Sequence, residues 1–227
     1  MIQKAHGTSG AHIHTHQNLE TEGGTIGWAR LYDVLVNFIL LGQYRSLVNS
    51  MLTLAHIQPE EKVLDVGCGT GTLAIAAKLN SHPSATIHGL DAAPEMIERA
   101  RQKAAQAGAD VDFQPALVET IPFADNTFDL VMNSLMVHHL PGDLKSRAFA
   151  EMYRVLKPGG RLLVVDFEPP TNPVIKAALR LLLGRGMLAI DNSVLPPLLE
   201  ATGFTDVKSG KTGSSLATFI SGVKAPK

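Results

Sequence analysis

Residues 63–71 read VLDVGCGTG, and few folds accommodate such a run. Val63, Leu64 and Val66 are β-formers that predict a short buried strand, with Asp65 at its end. Gly67, Gly69 and Gly71 follow at alternate positions, and from Thr72 the run TLAIAAKL predicts a helix. A strand, a glycine turn and a helix N-terminus make the ligand-cradling corner of a doubly wound α/β domain. Glycine is needed there because the chain turns sharply and a ligand must approach the backbone without meeting a Cβ.

The details of the corner select among ligands. A dinucleotide fingerprint reads G-x-G-x-x-G with the helix N-terminus aimed at a pyrophosphate. Here the spacing is G-x-G-x-G, and no Lys-Ser/Thr pair follows to build a phosphate loop. Asp65, placed just before the turn, suits a cation such as the ammonium or sulfonium of S-adenosylmethionine, or else it bonds the loop amides and stiffens the turn. A second acid follows at the offset where a nucleoside ribose is read. ATIHGLDAAPEMIERAR predicts a strand over 85–90, Asp91 at its tip and a helix from Pro94. Asp91 can accept both ribose hydroxyls, or it serves as helix-start chemistry before Pro-Glu.

Length and composition narrow the class. The chain has 227 residues, enough for one α/β domain with a small appended cap. A net charge of −1 with no Lys/Arg cluster argues against a nucleic-acid partner. The lone cysteine, Cys68, excludes an intramolecular disulfide and fits a reducing cytoplasm, with a small packed side chain the plain reading of its thiol. The polar, His-rich start lacks the apolar core of a signal peptide. The apolar stretch from Pro173 to Ile190 is interrupted by Lys176, Arg180, Gly184, Arg185 and Gly186, so stable membrane insertion is not expected.

Residues 1–24 read as a flexible arm in which His12, His14 and His16 alternate and offer adventitious metal binding; no resident metal site is expected. Residues 25–57 carry apolar positions at helical spacing and predict two helices broken near Gly42, forming an N-terminal cap. The remaining strands are expected near 62–66, 111–114, 128–133, 160–166, 204–208 and 216–223, and helices near 71–80, 94–107, 142–155 and 193–202. Residues 169–191 form an apolar insertion that reads as a lid over an apolar substrate. The Lys157-Pro158-Gly159-Gly160 run suits a tight connection into the fifth strand, with Arg161 a solvated strand-start residue.

Taken together, the glycine corner, Asp91, IPFADNTFDLVMNSLMVHHL (121–140) and EMYRVLKPGGRLLVVDF (151–167) resemble the class I S-adenosylmethionine-dependent methyltransferases. They are most similar to the subgroup that includes the ubiquinone and menaquinone biosynthesis enzymes. The segment LYDVLVNFILLGQYRSLV (31–48) resembles that subgroup's N-terminal helices. The resemblance implies a Rossmann-like sheet of seven mostly parallel strands, order 3-2-1-4-5-7-6, with helices on both faces. It implies a cofactor site formed by Asp65, Gly67, Cys68, Gly69 and Gly71 at the corner, and by Asp91 and Ala92 after the second strand. Val118 and Glu119 would hold the adenine edge, and Asn133 and Ser134 would lie at the end of the fourth strand. One departure stands out: where such enzymes place an adenine-reading Asp, this chain has Leu117.

Methyl transfer from a sulfonium needs alignment and exclusion of water, and a base only where the nucleophile must lose a proton. His138 and His139 are the candidate bases, with a helix cap as the alternative role for either. Tyr32 on the cap is the next candidate, followed by Asp33, and Asp166 at the end of the fifth strand could hold a substrate hydroxyl or ammonium. The expected function is methyl transfer to a small, apolar or aromatic acceptor at an O, C, N or S nucleophile, by a cytoplasmic monomer or homodimer. A nicotinamide-dependent oxidoreductase and a catalytically silent cofactor-binding protein are the competing readings.

Overall fold

A computed structural model of the chain describes residues 33, 36–40, 42–170, 172–183 and 190–226. The His12/His14/His16 arm and Tyr32 lie outside the described residues. The break expected near Gly42 is present: Gly42 takes φ +78° and its N–H donates to the Asn37 carbonyl at 2.7 Å. Helix α1 (Tyr44–Ala55) follows and buries Leu47, Val48, Met51 and Ala55, so this part of the segment is a layer of the core.

The corner forms as strand β1 (Lys62–Val66), a glycine turn and helix α2 (Thr72–Asn80). Two further β/α units, each with a strand after it, build the parallel part of the sheet. The first comprises β2 (Thr86–Asp91) and α3 (Pro94–Ala107), followed by β3 (Asp112–Pro115), and the second β4 (Phe128–Ser134) and α4 (Gly142–Val155), followed by β5 (Leu156–Phe167). Helix α5 (Pro173–Leu183) lies in the insertion, α6 (Leu195–Thr202) follows, and the hairpin β6 (Phe204–Lys211) and β7 (Ala217–Lys224) ends the fold. The sheet order is β3-β2-β1-β4-β5-β7-β6, as the resemblance implies. β7 runs antiparallel to both β5 and β6, and the other pairings are parallel.

Alternation along the buried strands divides the core between two faces. Val63, Leu130, Met132, Leu163 and Val165 pack with Leu47 and Met51 of α1, Leu73 of α2 and Ile97 of α3. Leu64, Val66, Val131, Leu162 and Val164 pack with Phe149 and Met152 of α4 and Leu199 of α6. Helices thus cover both faces, and the loops at the carboxyl ends of β1, β2, β4 and β5 gather at one edge. Among the described residues no helix is long and apolar enough to cross a membrane.

Three local features differ from expectation. β5 begins at Leu156, because Lys157–Gly160 bulge out between the pairs Phe128–Leu156 and Leu130–Arg161. β6 extends to Lys211, since a register shift between Thr205 and Lys208, with Asp206 at φ +53°, interrupts the alternation that marks a strand end. Arg161 is not a solvated strand-start residue. Its guanidinium donates to both carboxylate oxygens of Glu61 at 2.6 and 2.9 Å and to the Ala55 carbonyl at 2.6 Å, fastening the end of α1 to the sheet.

Candidate cofactor and acceptor site

The glycine turn is held open by left-handed backbone. Gly67, Gly69 and Gly71 have φ of +69°, +52° and +76°. A Cβ at Gly67 would lie 2.6 Å from Met136 Cγ, and one at Gly71 would lie 2.7 Å from Phe113 Cζ. The turn closes with the Gly71 N–H donating to the Cys68 carbonyl at 2.9 Å. The Cys68 thiol is buried among core residues and burial raises its pKa, so the backbone is what this residue offers a ligand.

Asp91, not Asp65, stiffens the turn. One oxygen of Asp91 accepts the Gly69 N–H at 2.8 Å, and the other accepts the Ala93 N–H at 2.9 Å. The helix-start role is therefore present, and each oxygen keeps acceptor capacity for a ribose hydroxyl. Burial holds its pKa above the ordinary carboxylate value, against the pull of the Ala93 and Gly69 amides. Ala92, next in the chain, and Val118 are part-buried, and the Ala116 N–H continues the β2–β3 ladder by donating to the Asp91 carbonyl at 3.0 Å.

Asp65 is 1% exposed, and neither carboxylate oxygen makes a hydrogen bond. Burial first, then the charge of Asp91, pushes its pKa up to about 7; the nearby Ala74 amide offsets part of this without a bond of normal geometry. A buried acceptor with no donor is costly unless something arrives to pair it. On the neighbouring strand Asn133 is fully buried, its amide donating to the Val66 carbonyl at 2.6 Å while its own Oδ1 has no donor. Ser134, part-buried, ends the strand. An acceptor-only carboxylate beside a turn that a Cβ would fill fits a cationic nucleoside cofactor such as S-adenosylmethionine.

The chain leaves β4 through Leu135, a non-glycine residue at φ +55°, whose N–H donates to the Val165 carbonyl at 2.8 Å. Such a conformation costs about 1–2 kcal/mol and is maintained where the surroundings over-determine it. It directs a 3₁₀ turn, Val137–His139, toward the end of β5. There Asp166, fully buried, accepts the His138 backbone N–H on Oδ2 at 2.8 Å and faces His138 Nδ1 with Oδ1 at 2.5 Å. A carboxylate only accepts, so Nδ1 carries the ring proton and Nε2 is left as a proton acceptor. The Phe167 N–H also donates to Asp166 Oδ1, at 2.7 Å. His139 lies against His138 with ring centroids 3.9 Å apart and planes tilted by 43°; partial desolvation of its ring there, then His138, lowers its pKa. His138 lines a cleft of about 320 Å³ with Val137, Lys145, Ile190, Val194 and Leu195.

A second polar cluster braces the turn from behind. Lys103 Nζ donates to Asp33 Oδ2, Thr70 Oγ1 and Thr72 Oγ1 at 2.6, 2.8 and 2.7 Å. The Thr70 hydroxyl donates to the other Asp33 oxygen at 2.6 Å. Asp33 thus ties the N-terminal segment to the glycine turn. Lys103 escapes sequence reasoning, because a lysine on an amphipathic helix carries no mark of an inward role.

This arrangement defines the class. A methyltransferase-domain family model matches residues 63–160. The demethylmenaquinone methyltransferase of Lactiplantibacillus plantarum is 37% identical over 147 residues, which span 64% of this chain and 61% of that protein. The ubiquinone/menaquinone biosynthesis C-methyltransferase UbiE of Desulfotalea psychrophila is 32% identical over 199 residues, 78% of each chain. The fold matches the crystal structure of a SAM-dependent methyltransferase from Aquifex aeolicus with TM-score 0.65 at 19% identity, over 81% of this chain and 93% of that one. The chain belongs to the class I S-adenosylmethionine-dependent methyltransferases. Within them it is similar to the quinone C-methyltransferases, though it spans only about three-fifths of the length of the first relative named.

Proposed function

We propose that this chain transfers a methyl group from S-adenosylmethionine to a small, apolar or aromatic acceptor, with His138 as the base. The observation that carries this reading is the His138–Asp166 pair at the carboxyl ends of β4 and β5, beside the glycine corner. Asp65 would meet the cofactor's positive charge, and Asp91 its ribose. Val118 and Glu119 would border the adenine. The backbone of Gly67–Gly71, with Asn133 and Ser134, would complete the cradle. When bound, the cofactor supplies a methyl group already made electrophilic by the sulfonium.

His138 then receives the proton that the acceptor must lose, on Nε2. Asp166 holds the ring in the required tautomer and stabilises the imidazolium that forms, which is the logic of a histidine–carboxylate pair in other proton-transfer sites. The names of the relatives favour an acceptor of the quinone class, and its reduced, hydroquinone form is the one that reacts, because a ring hydroxyl, once deprotonated, makes the ring carbon nucleophilic. Ile190, Val194 and Leu195 offer such a ring apolar contacts in the cleft, while Lys145, Asp191 and Asn192 make the rest of its lining polar. Residues 169–191 would serve as lid and 25–57 as cap, in a cytoplasmic monomer or homodimer with no nucleic-acid partner.

Titration calorimetry with S-adenosylmethionine, followed by assay of S-adenosylhomocysteine released with reduced demethylnaphthoquinones, tests the reading. Binding with turnover is expected. Binding without product across a broad acceptor screen would instead identify a silent cofactor-binding protein, a reading that Leu117 at the adenine position favours.

A further inference from the structure

The insertion between β5 and α6 bears, on helix α5, a surface to which none of the site or cleft residues named above belongs. On α5, Val174 and Leu181 are 75% and 91% exposed. Ala177 is exposed between them, and positions 174, 177 and 181 are spaced to lie on one stripe of a helix. Lys176 and Arg180, both exposed, run i to i+4 alongside this stripe. Helix α5 carries Lys176 and Arg180 and no Asp or Glu, while the insertion's two acids, Glu168 and Asp191, stand at its ends, in a chain whose net charge is −1. A basic island is thus combined with large apolar side chains held in water.

Different occupants make different demands on such a face. A second copy meeting it about a two-fold axis would bring Lys176 and Arg180 against the same residues of its partner, with no acid on the helix to separate them. A nucleic acid would satisfy the cations and leave Val174 and Leu181 unburied. An anionic bilayer surface satisfies both, since apolar side chains enter the acyl boundary while basic ones meet the headgroups. At 11 residues the helix is far too short to span and is suited to lying in the interface plane.

We propose that α5 docks the protein on an anionic lipid surface, with Val174 and Leu181 inserted and Lys176 and Arg180 at the headgroups. The inference does not depend on the reaction proposed above, and its test needs no turnover.

Co-sedimentation of the full chain with vesicles of phosphatidylcholine alone, or mixed with phosphatidylglycerol, provides that test. Binding to the mixed vesicles, weakened by salt, is expected, with at least a tenfold weaker interaction on phosphatidylcholine alone. Leu181→Asp, and separately Lys176→Glu with Arg180→Glu, should each lower the partition coefficient about fivefold or more. Their thermal melting should match the parent chain, because the altered side chains are exposed. Absence of binding at low salt, equal binding to both vesicle types, or full binding by Leu181→Asp would each overturn the proposal. So would a dimer, seen by light scattering, that Leu181→Asp dissolves without any vesicle binding by the parent chain.

Discussion

Asp166 holds His138 twice: Oδ2 takes its backbone N–H at 2.8 Å, and Oδ1 faces its ring Nδ1 at 2.5 Å. One carboxylate thus sets both the path of the chain out of the 3₁₀ turn and the tautomer of the ring. Replacing His138 with Gln should lower the methyl-transfer rate about 10²–10⁴-fold, the usual span for a positioned base. S-adenosylmethionine affinity, measured by calorimetry, should change less than threefold, about 0.6 kcal/mol. Asp166→Asn should lower the rate as well, because a neutral amide stabilises an imidazolium less than a carboxylate. Unchanged turnover in His138→Gln would remove the base from this position.

Asp65 gives a pH dependence of opposite sign to that of a salt-bridged acid. Its pKa in the folded chain is about 7 against an ordinary 3.8, so folding favours its protonated form. Without cofactor, its contribution to stability is complete below about pH 4 and is lost as pH rises through 7. Asp65→Asn removes the buried charge, and should raise the melting stability of the cofactor-free protein at pH 8 by about 1–3 kcal/mol. The same variant should lose cofactor affinity, since the amide cannot pair a sulfonium or ammonium. Binding of S-adenosylmethionine by the parent chain should release protons between about pH 5 and 7, visible as a buffer-dependent heat. A variant that is less stable at pH 8 would contradict this account of Asp65.

The corner was open to sequence reasoning because its parts are contiguous: glycine spacing, a strand before and a helix after. Asp91 shares that legibility, as its distance along the chain from the corner is characteristic. The Asp33–Lys103 pairing is not legible, because it joins residues 70 positions apart: Asp33 is a candidate on the cap with no sign of its partner, and Lys103 reads as an ordinary surface charge. Asp166 is legible as a strand-end acid near the crevice, but its hold on His138 depends on the left-handed turn at Leu135, where a leucine gives no warning. Arg161 misleads for a similar reason. An arginine at the start of a strand looks solvated until Glu61 and the end of α1 are placed beside it.

Gly67 and Gly71 share left-handed backbone yet should respond differently to alanine. At Gly71 the new Cβ meets Phe113 Cζ at 2.7 Å and Ala100 Cβ at 2.9 Å, both part of the packed core. At Gly67 it meets Met136 Cγ at 2.6 Å and Cβ at 3.0 Å, atoms next to the backbone, so the loop after β4 must shift to make room. Gly71→Ala should therefore cost about 2–4 kcal/mol of folding stability, from strain and overpacking together. Gly67→Ala should cost less, about 1–3 kcal/mol in stability, because a loop yields where the core does not, and more in cofactor affinity. Denaturant melts with calorimetry on both variants check the split, and equal stability losses would contradict it.

Lys103 makes the last case, because three acceptors depend on one amine. Its Nζ serves Asp33, Thr70 and Thr72 at 2.6–2.8 Å, and Thr70 in turn is buried within the glycine turn. Lys103→Met keeps the length of the side chain and removes every donor, leaving the Asp33 carboxylate with the threonine hydroxyls alone. A loss of about 1–3 kcal/mol is expected, within the range for hydrogen bonds to charged groups. Because the cluster joins the N-terminal segment to the turn, part of that loss should appear as weaker S-adenosylmethionine binding. Asp33→Asn alone should produce a similar weakening, and the double variant Lys103→Met/Asp33→Asn should be far from additive, with a coupling of about 1 kcal/mol or more. Additive single effects in that cycle would show that the two residues act separately, and that the turn is held without them.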